Sequence, residues 1–224
     1  MARTAKNASR PLGPGRFARA MHALLAAPAR FLLSVRVTGR ENVPAEGGHV
    51  LIANHTSFLD PIVLSAAFPR CRMPKYLAKR ELFKIPILST LIRAFGGIPL
   101  ERGGSDVSAV HRAIAIATAG DILTVFPQGT RRKGQNPADT PVKAGAAMIA
   151  ARAGAPILPV CIRMKKQRYA LFRRVDVIIG TPITPEALGL LAEHPDYKAA
   201  VTTAFLSACA LGGYEPRLLT EAEA

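Results

Sequence analysis

The sequence predicts an α/β fold: a single domain with a mixed, mostly parallel sheet covered by helices, preceded by an amphipathic N-terminal helix. Two observations predict it. From His49 onward, short apolar runs typical of buried strands alternate with segments of helical periodicity. In addition, 224 residues with 49% hydrophobic content suffice for one well-buried core and leave little room for a second. We therefore expect residues 1–34 to form a basic arm and a helix, and residues 35–224 to form one folded domain.

The N-terminal segment combines positive charge with helical periodicity. The first 40 residues contain eight basic residues and no acidic one, and Met1–Gly15 is predicted to be a disordered basic arm. In Arg16–Ser34 the larger apolar side chains share one helical face, and Pro28 is expected to kink or split the helix. The apolar face carries Phe17, Met21, Leu24, Leu25 and Leu32, and the opposite face carries Arg16, Arg19, His22 and Arg30. Such a helix is predicted to lie on an anionic membrane surface; the alternative is a helix that packs against its own domain.

Six downstream segments have the composition of strands. They are short and apolar, several are β-branched, and glycine, proline or polar residues bound them. The predicted strands are His49–Ala53, Lys75–Ala78, Gly97–Leu100, Ile122–Phe126, Ile157–Ile162 and Val175–Ile179.

Five further segments have helical periodicity and helix-end signals. Asp60 followed by Pro61 is typical of an N-cap and a first turn, while Gly120 and Gly154 are typical of helix ends. The predicted helices are Pro61–Phe68, Pro86–Ala94, Ser105–Ala119, Val142–Ala153 and Asp196–Leu211.

Charge and composition limit the class of partner. Lysine and arginine total 30 against 15 acidic residues, a formal net charge of +15, so anionic partners are expected. Aromatic residues make up 6% of the chain, tryptophan is absent, and the charge concentrates in the arm and at glycine turns. These features argue against nucleic acid as a partner and favour anionic lipid or a phosphorylated small molecule.

Cysteine spacing and hydropathy predict a cellular location. Cys71, Cys161 and Cys209 are too far apart for a zinc ligand set and odd in number, so we expect free, buried thiols in a reducing cytosol. The longest apolar candidate, Ala20–Val35, is broken by Pro28 and lacks a signal-peptide cleavage pattern. A cytoplasmic protein, peripheral on the inner face of the cell membrane, is expected.

The segment Asn54–Asp60 carries the sharpest chemical signal. It follows an apolar strand, and strand ends are where α/β sheets form sites. His55 and Asp60 are five residues apart and can meet only if the loop folds back, after which the aspartate could hold one ring nitrogen and leave the other as a base. The alternative is a structural histidine beside a helix cap.

Two glycine turns at strand ends each deliver an arginine. Gly96–Arg102 and Phe126–Arg131 could together form a fork for a phosphate, because guanidinium binds phosphate bidentately. Taken singly, each arginine is more often a solvated surface charge. A fourth segment, Ala155–Val160, is an apolar strand bracketed by prolines and by itself is typical of a core strand.

Along the chain these four segments have the patterns His-x4-Asp, Gly-x-Ile-x-x-x-Arg, Phe-Pro-x-Gly-Thr-Arg and Pro-Ile-x-Pro. Their order resembles the motifs of the glycerolipid acyltransferases, in particular the bacterial 1-acyl-glycerol-3-phosphate acyltransferases. The likeness runs from about Gly39 to Pro182. It implies a glycerol-3-phosphate acyltransferase-like domain that moves a fatty acyl group from a co-substrate, acyl-CoA or acyl carrier protein, to lysophosphatidic acid without a cofactor or metal. The implied roles are general base for His55, orienting partner for Asp60, acceptor-phosphate site for Arg102, Arg131, Gly129 and Thr130, and support for Asn54, Gln128 and Pro159.

The third motif departs from the family pattern, which usually has glutamate where this chain has Gln128. Glutamine cannot serve a role that needs a carboxylate there, although it keeps the size and one acceptor oxygen. The chain also lacks a Gly-x-Ser-x-Gly elbow, a Walker loop and a His-Glu-x-x-His metal motif. Alternatives are an acyltransferase for another lysolipid and a catalytically silent lipid-binding protein of the same fold.

Overall fold

A computed structural model describes residues 16–100 and 106–217; the predicted arm Met1–Gly15 lies outside them. Within these ranges the chain alternates helices and strands much as the sequence predicts. The helices are α1 (Arg16–Leu32), α2 (Asp60–Ala67), α3 (Pro86–Ala94), α4 (Asp106–Thr118), α5 (Gly145–Ala153) and α6 (Tyr197–Leu211). The strands are β1 (Val35–Thr38), β2 (His49–Ala53), β3 (Tyr76–Lys79), β4 (Gly97–Leu100), β5 (Ile122–Val125), β6 (Ile157–Met164) and β7 (Val175–Ile179).

Five strands form the main sheet in the order β1-β7-β6-β2-β5. β1 is parallel to β7, and β2 is parallel to both β5 and β6, whereas β6 and β7 are antiparallel. All five residues of β2 are buried, as expected of a central parallel strand covered on both faces. The predicted fold class is confirmed. β1 was not predicted, although its four residues alternate between apolar and polar side chains, a pattern typical of a half-buried strand.

The strands predicted near Lys75 and Gly97 form a separate parallel pair, β3 and β4, beside the main sheet. Lys75 attaches this pair to β5: its main-chain N–H donates to the Ile122 carbonyl at 2.8 Å and its carbonyl accepts from the Thr124 N–H at 2.6 Å. The buried Lys75 ammonium also pairs with the Asp121 carboxylate. Because β3 runs parallel to both β4 and β5, β4 ends at the same edge of the sheet as β5.

Side chains of the sheet alternate between two layers. Val50 and Ile52 of β2 pack with residues of α4, α5 and α6, whereas Leu51 and Ala53 pack with residues of α2 on the other face. Both faces are therefore covered by helices, and the core sits on either side of β2.

The first helix differs from its prediction in three respects. α1 is continuous through Pro28 and is not split. Met21 and Leu25 pack against the side chains of α2 and α3, whereas Leu24, expected on the same face, is 66% exposed. His22, expected on the polar face, is buried: its Nε2 donates to the Ser65 carbonyl at 3.2 Å. No helix in the described parts of the chain is both long and apolar enough to cross a membrane.

The three cysteines are free thiols, but only two match the expected burial. Cys161 and Cys209 are buried, and burial raises the pKa of each thiol to about 12. Cys71 is exposed, so the expectation that it is buried is wrong.

Candidate active site

The candidate site lies at the sheet edge where the parallel strands β2, β5 and β6 end. Asn54, the first residue after β2, continues the ladder with its side chain. Its Oδ1 accepts from the Ile162 N–H at 2.8 Å and its Nδ2 donates to the Ile162 carbonyl at 2.9 Å. Asn54 therefore holds the start of the following loop against β6.

Asp60 organises the loop that precedes α2. The helix N-cap is Leu59, so the prediction that Asp60 is the cap is wrong by one residue. The Asp60 carboxylate instead reaches back into the loop, where its Oδ2 accepts from the main-chain N–H of Thr56 at 2.7 Å and of Ser57 at 2.8 Å. Its side chain is fully buried, and a buried carboxylate requires such donors. These bonds fold the loop back, which is the condition for His55 and Asp60 to meet.

His55 contacts Asp60 directly. The distance from His55 Nδ1 to Asp60 Oδ2 is 2.7 Å. Because a carboxylate only accepts hydrogen bonds, Nδ1 carries the proton, and the lone pair of a neutral ring is on Nε2. The imidazole stacks on Phe126, with 4.0 Å between ring centroids and 18° between ring planes, and its side chain is 17% exposed. The imidazole is therefore held in one orientation and is partly accessible to solvent.

Tyr169 is a member of this cluster that the sequence did not reveal. Its hydroxyl donates to Asp60 Oδ1 at 2.7 Å. Burial, together with the negative charge of Asp60, raises the pKa of the Tyr169 hydroxyl well above its ordinary value, so it stays a protonated donor. The two residues are 109 positions apart, and no local pattern around Tyr169 points to Asp60.

Gln128 connects the third motif to the His55 loop. Its Oε1 accepts from the His55 main-chain N–H at 2.6 Å, and its Nε2 donates to Thr140 Oγ1 at 2.7 Å. The Gln128 side chain thus uses its amide oxygen as an acceptor and its amide N–H as a donor. A carboxylate has no donor, so it could not make both bonds in the same arrangement. The His55 carbonyl in turn accepts from the Arg132 N–H at 2.8 Å, so the loop after β5 is bound to the loop after β2.

The residues predicted to bind phosphate are brought to the site only in part. Arg131 is exposed on the loop bound to His55, and its guanidinium carbon lies 3.5 Å from the centre of the exposed Phe58 ring. Gly129 adopts a left-handed φ of 69°, which makes the tight turn before Thr130 and Arg131. Arg102 lies outside the described residues.

Pro159 lies farther from this cluster. It is inside β6, opposite Ile52 of β2, and its carbonyl accepts from the Gly180 N–H at 2.9 Å. Its supporting role stays a prediction.

Comparison with known proteins gives a consistent result. A family model described as Acyltransferase matches residues 34–163, more than half of the chain. The 1-acyl-sn-glycerol-3-phosphate acyltransferase of Bacillus subtilis is 30% identical over 151 residues, which cover 66% of this chain and 73% of that protein. The enzyme of the same name from Streptococcus pneumoniae is 33% identical over 141 residues, and the alignment covers 60% of this chain but only 50% of that protein.

A solved structure is similar over most of its length. The crystal structure of the 1-acyl-sn-glycerophosphate acyltransferase from Thermotoga maritima superposes with a TM-score of 0.59 and 27% sequence identity. The match covers 88% of this chain and 83% of that one.

Proposed function

This chain belongs to the acyltransferase family, and from that premise we propose that it transfers a fatty acyl group from an acyl thioester to the free hydroxyl of 1-acyl-glycerol-3-phosphate. The product is phosphatidic acid. The observation that carries the proposal is His55, held by a buried aspartate and presented at the sheet edge. The named relatives and the Thermotoga enzyme support the choice of acceptor.

His55 acts as the general base in this reaction. Its Nε2 removes the proton of the acceptor hydroxyl as the oxygen attacks the thioester carbonyl, which forms the new C–O bond. The C–S bond then breaks, and the departing sulfur takes a proton from the imidazolium. Asp60 stabilises that imidazolium through Nδ1, while its bonds to Thr56, Ser57 and Tyr169 keep the carboxylate in place.

Arg131 binds the acceptor phosphate, together with Arg102. The Phe58 ring supports the guanidinium from one face, which leaves its in-plane N–H groups for phosphate oxygens. Gly129 and Thr130 shape the turn beside it. The acyl thioester, as acyl-CoA or acyl carrier protein, is a co-substrate, and no other cofactor or metal enters the mechanism.

The lipid acceptor places the reaction at a membrane. The chain is peripheral on the cytoplasmic face, where the positive charge of its N-terminal residues attracts anionic lipid. A docked enzyme acylates a lysolipid without extracting it from the bilayer.

The experiment is a thiol-release assay with purified protein, an oleoyl thioester and a panel of lysolipids with and without a phosphate. His55→Ala is expected to lower turnover by at least about a hundredfold, because a general base contributes about 10²–10⁴-fold. His111→Ala, at an exposed position of α4, is the matched control and should keep full activity. Retention of more than about a tenth of turnover by His55→Ala would show that the assignment is wrong, since tenfold is only about 1.4 kcal/mol of barrier. Vesicle binding by the wild type without thiol release would favour a silent lipid-binding protein.

A further inference from the structure

Two segments far apart in sequence expose large apolar side chains beside each other. Phe31, at the end of α1, is 72% exposed, and Phe172, in the segment between β6 and β7, is 64% exposed. Their rings meet edge to face with 5.9 Å between centroids. The Phe172 N–H donates to the Leu32 carbonyl at 2.7 Å, so the two segments are also joined through the main chain. The neighbouring Leu171 is 67% exposed.

The exposed side of α1 continues this apolar surface. Residues four and seven apart share a helical face, so Leu24 and Phe31 lie on one side of α1. Among residues 20–32, where burial is described, the exposed residues on that side are Ala20, Leu24, Ala27, Pro28 and Phe31, and none of these five is polar. We name Leu24, Phe31, Leu171 and Phe172 the docking patch. Solvent-exposed apolar stripes of this kind are unfavourable in water and mark interaction surfaces.

The backbone at Phe172 adds a second observation. Its φ is 56°, in the left-handed region that bulky residues rarely adopt. Folding in water does not favour an exposed aromatic ring on such a backbone, because the ring gains little burial. A partner that buries the ring would account for the arrangement.

Charge identifies the chemistry of that partner. The chain from Arg163 to Arg174 contains six basic residues and no acidic one. Asp176 pairs with Arg163 and Arg174 but offsets only one charge. The basic residues are Arg163, Lys165, Lys166, Arg168, Arg173 and Arg174, and all six are exposed. An apolar centre with a basic surround complements the surface of a bilayer that contains anionic lipid.

We propose that the docking patch inserts into an anionic bilayer, so that membrane contact is made by the segment between β6 and β7 as well as by α1. This inference rests on the proposed function for its biological setting and extends it to a surface outside the N-terminal segment. The segment leads directly to the active site: Tyr169, which donates to Asp60, is three residues from Phe172, a span of at most about 11 Å. Insertion therefore brings the His55–Asp60 pair close to the bilayer surface, where the lysolipid lies.

A single tryptophan tests insertion directly, because the chain has none of its own. On vesicles that contain phosphatidylglycerol, the emission of Leu171→Trp is expected to shift to shorter wavelength and to be protected from quenching by acrylamide. Leu191→Trp is the matched control. Leu191 is 61% exposed, and its neighbour Leu190 packs in the layer of α4, α5 and α6, so this emission should not change. Equal quenching of both variants overturns the inference.

Vesicle binding gives a second test with a variant that suits the backbone. Phe172→Asn removes the ring, and asparagine tolerates a left-handed φ, so the fold should be kept. We expect about tenfold weaker binding to phosphatidylglycerol vesicles, with turnover on a soluble short-chain lysophosphatidate unchanged. Leu191→Asn should bind like the wild type. Unchanged vesicle binding by Phe172→Asn overturns the inference. The inference is also overturned if the wild type is a dimer and Phe172→Asn is a monomer that binds vesicles as well as the wild type does. Failure of the wild type to acylate the soluble acceptor would count against the proposed function alone, since insertion is measured independently.

Discussion

At the scale of single residues, the Asp60 carboxylate is the centre of the site. It accepts from the His55 ring, two main-chain N–H groups and the Tyr169 hydroxyl. Each bond restricts the carboxylate to one orientation, and the carboxylate in turn orients the imidazole. In the proposed reaction Tyr169 is therefore a positioning residue, because it acts through Asp60.

Tyr169→Phe tests this role. Loss of a hydrogen bond worth about 1–1.5 kcal/mol is expected to lower kcat about tenfold. The carboxylate without its donor should hold the imidazolium proton more strongly, so the acidic limb of the pH–rate profile should move to higher pH. Tyr197→Phe, in α6, is the control and should leave kcat and the profile unchanged. A variant that loses only thermal stability, with an unmoved profile, would reduce Tyr169 to a packing residue.

At the scale of elements, α1 is both part of the core and part of the surface. His22 lies on its buried side, where the imidazole meets Phe95 edge to face and donates to the Ser65 carbonyl. Burial lowers the pKa of His22 below its ordinary value, and the nearby Arg70 guanidinium lowers it further. The folded state therefore binds this proton less readily than the unfolded chain does. The associated stability is present above about pH 6.5 and is lost as the pH falls below it.

We accordingly expect the melting temperature to fall less between pH 7.5 and pH 5.5 in His22→Gln than in the wild type. Glutamine can still donate to the Ser65 carbonyl but does not titrate. Part of the fall should remain, because burial also lowers the pKa of His49. His111→Gln, exposed on α4, should show the full wild-type fall. An identical fall in His22→Gln and the wild type would exclude His22 as the titrating group.

At the scale of the whole molecule, the net charge of +15 is unevenly placed. Eight of the basic residues lie in the first 40 positions and six lie between Arg163 and Arg174, next to the docking patch. Charges on the surface act over a Debye length of about 10 Å at 0.1 M salt, which shrinks to about 3 Å at 1 M.

Binding of the wild type to anionic vesicles should therefore weaken by at least about tenfold from low to 1 M salt, because each basic residue near the surface contributes about 1 kcal/mol at low salt. Co-sedimentation across a salt series measures it. Point variants are better for comparison than removal of residues 1–34, because α1 covers buried residues of α2 and α3, among them Ala66 and Ala94. Salt-independent binding would mean that apolar contact alone holds the protein on the bilayer.

Much of the fold and the central pair of the site were determined by the sequence alone. The alternation of apolar runs with helical periodicity predicted the mixed sheet and its helices, because periodicity is a property of contiguous residues. The spacing of His55 and Asp60 limited them to one way of meeting, a folded loop at a strand end, and that contact is present. Asn54 and Gln128 were predicted only as supporting residues, and the structure shows that Gln128 bonds to the His55 main chain and Asn54 to β6.

Only the tertiary structure decided the partners that lie far apart in the chain. Tyr169 reaches Asp60 across 109 residues, and Phe172 meets Phe31 across about 140, through the order in which strands pair. The periodicity of α1 predicted an amphipathic helix but not which side meets the domain, since His22 became buried while Leu24 became exposed. The physical reason is that a helix pattern specifies a face, whereas the neighbour that covers the face is set by packing of the whole chain.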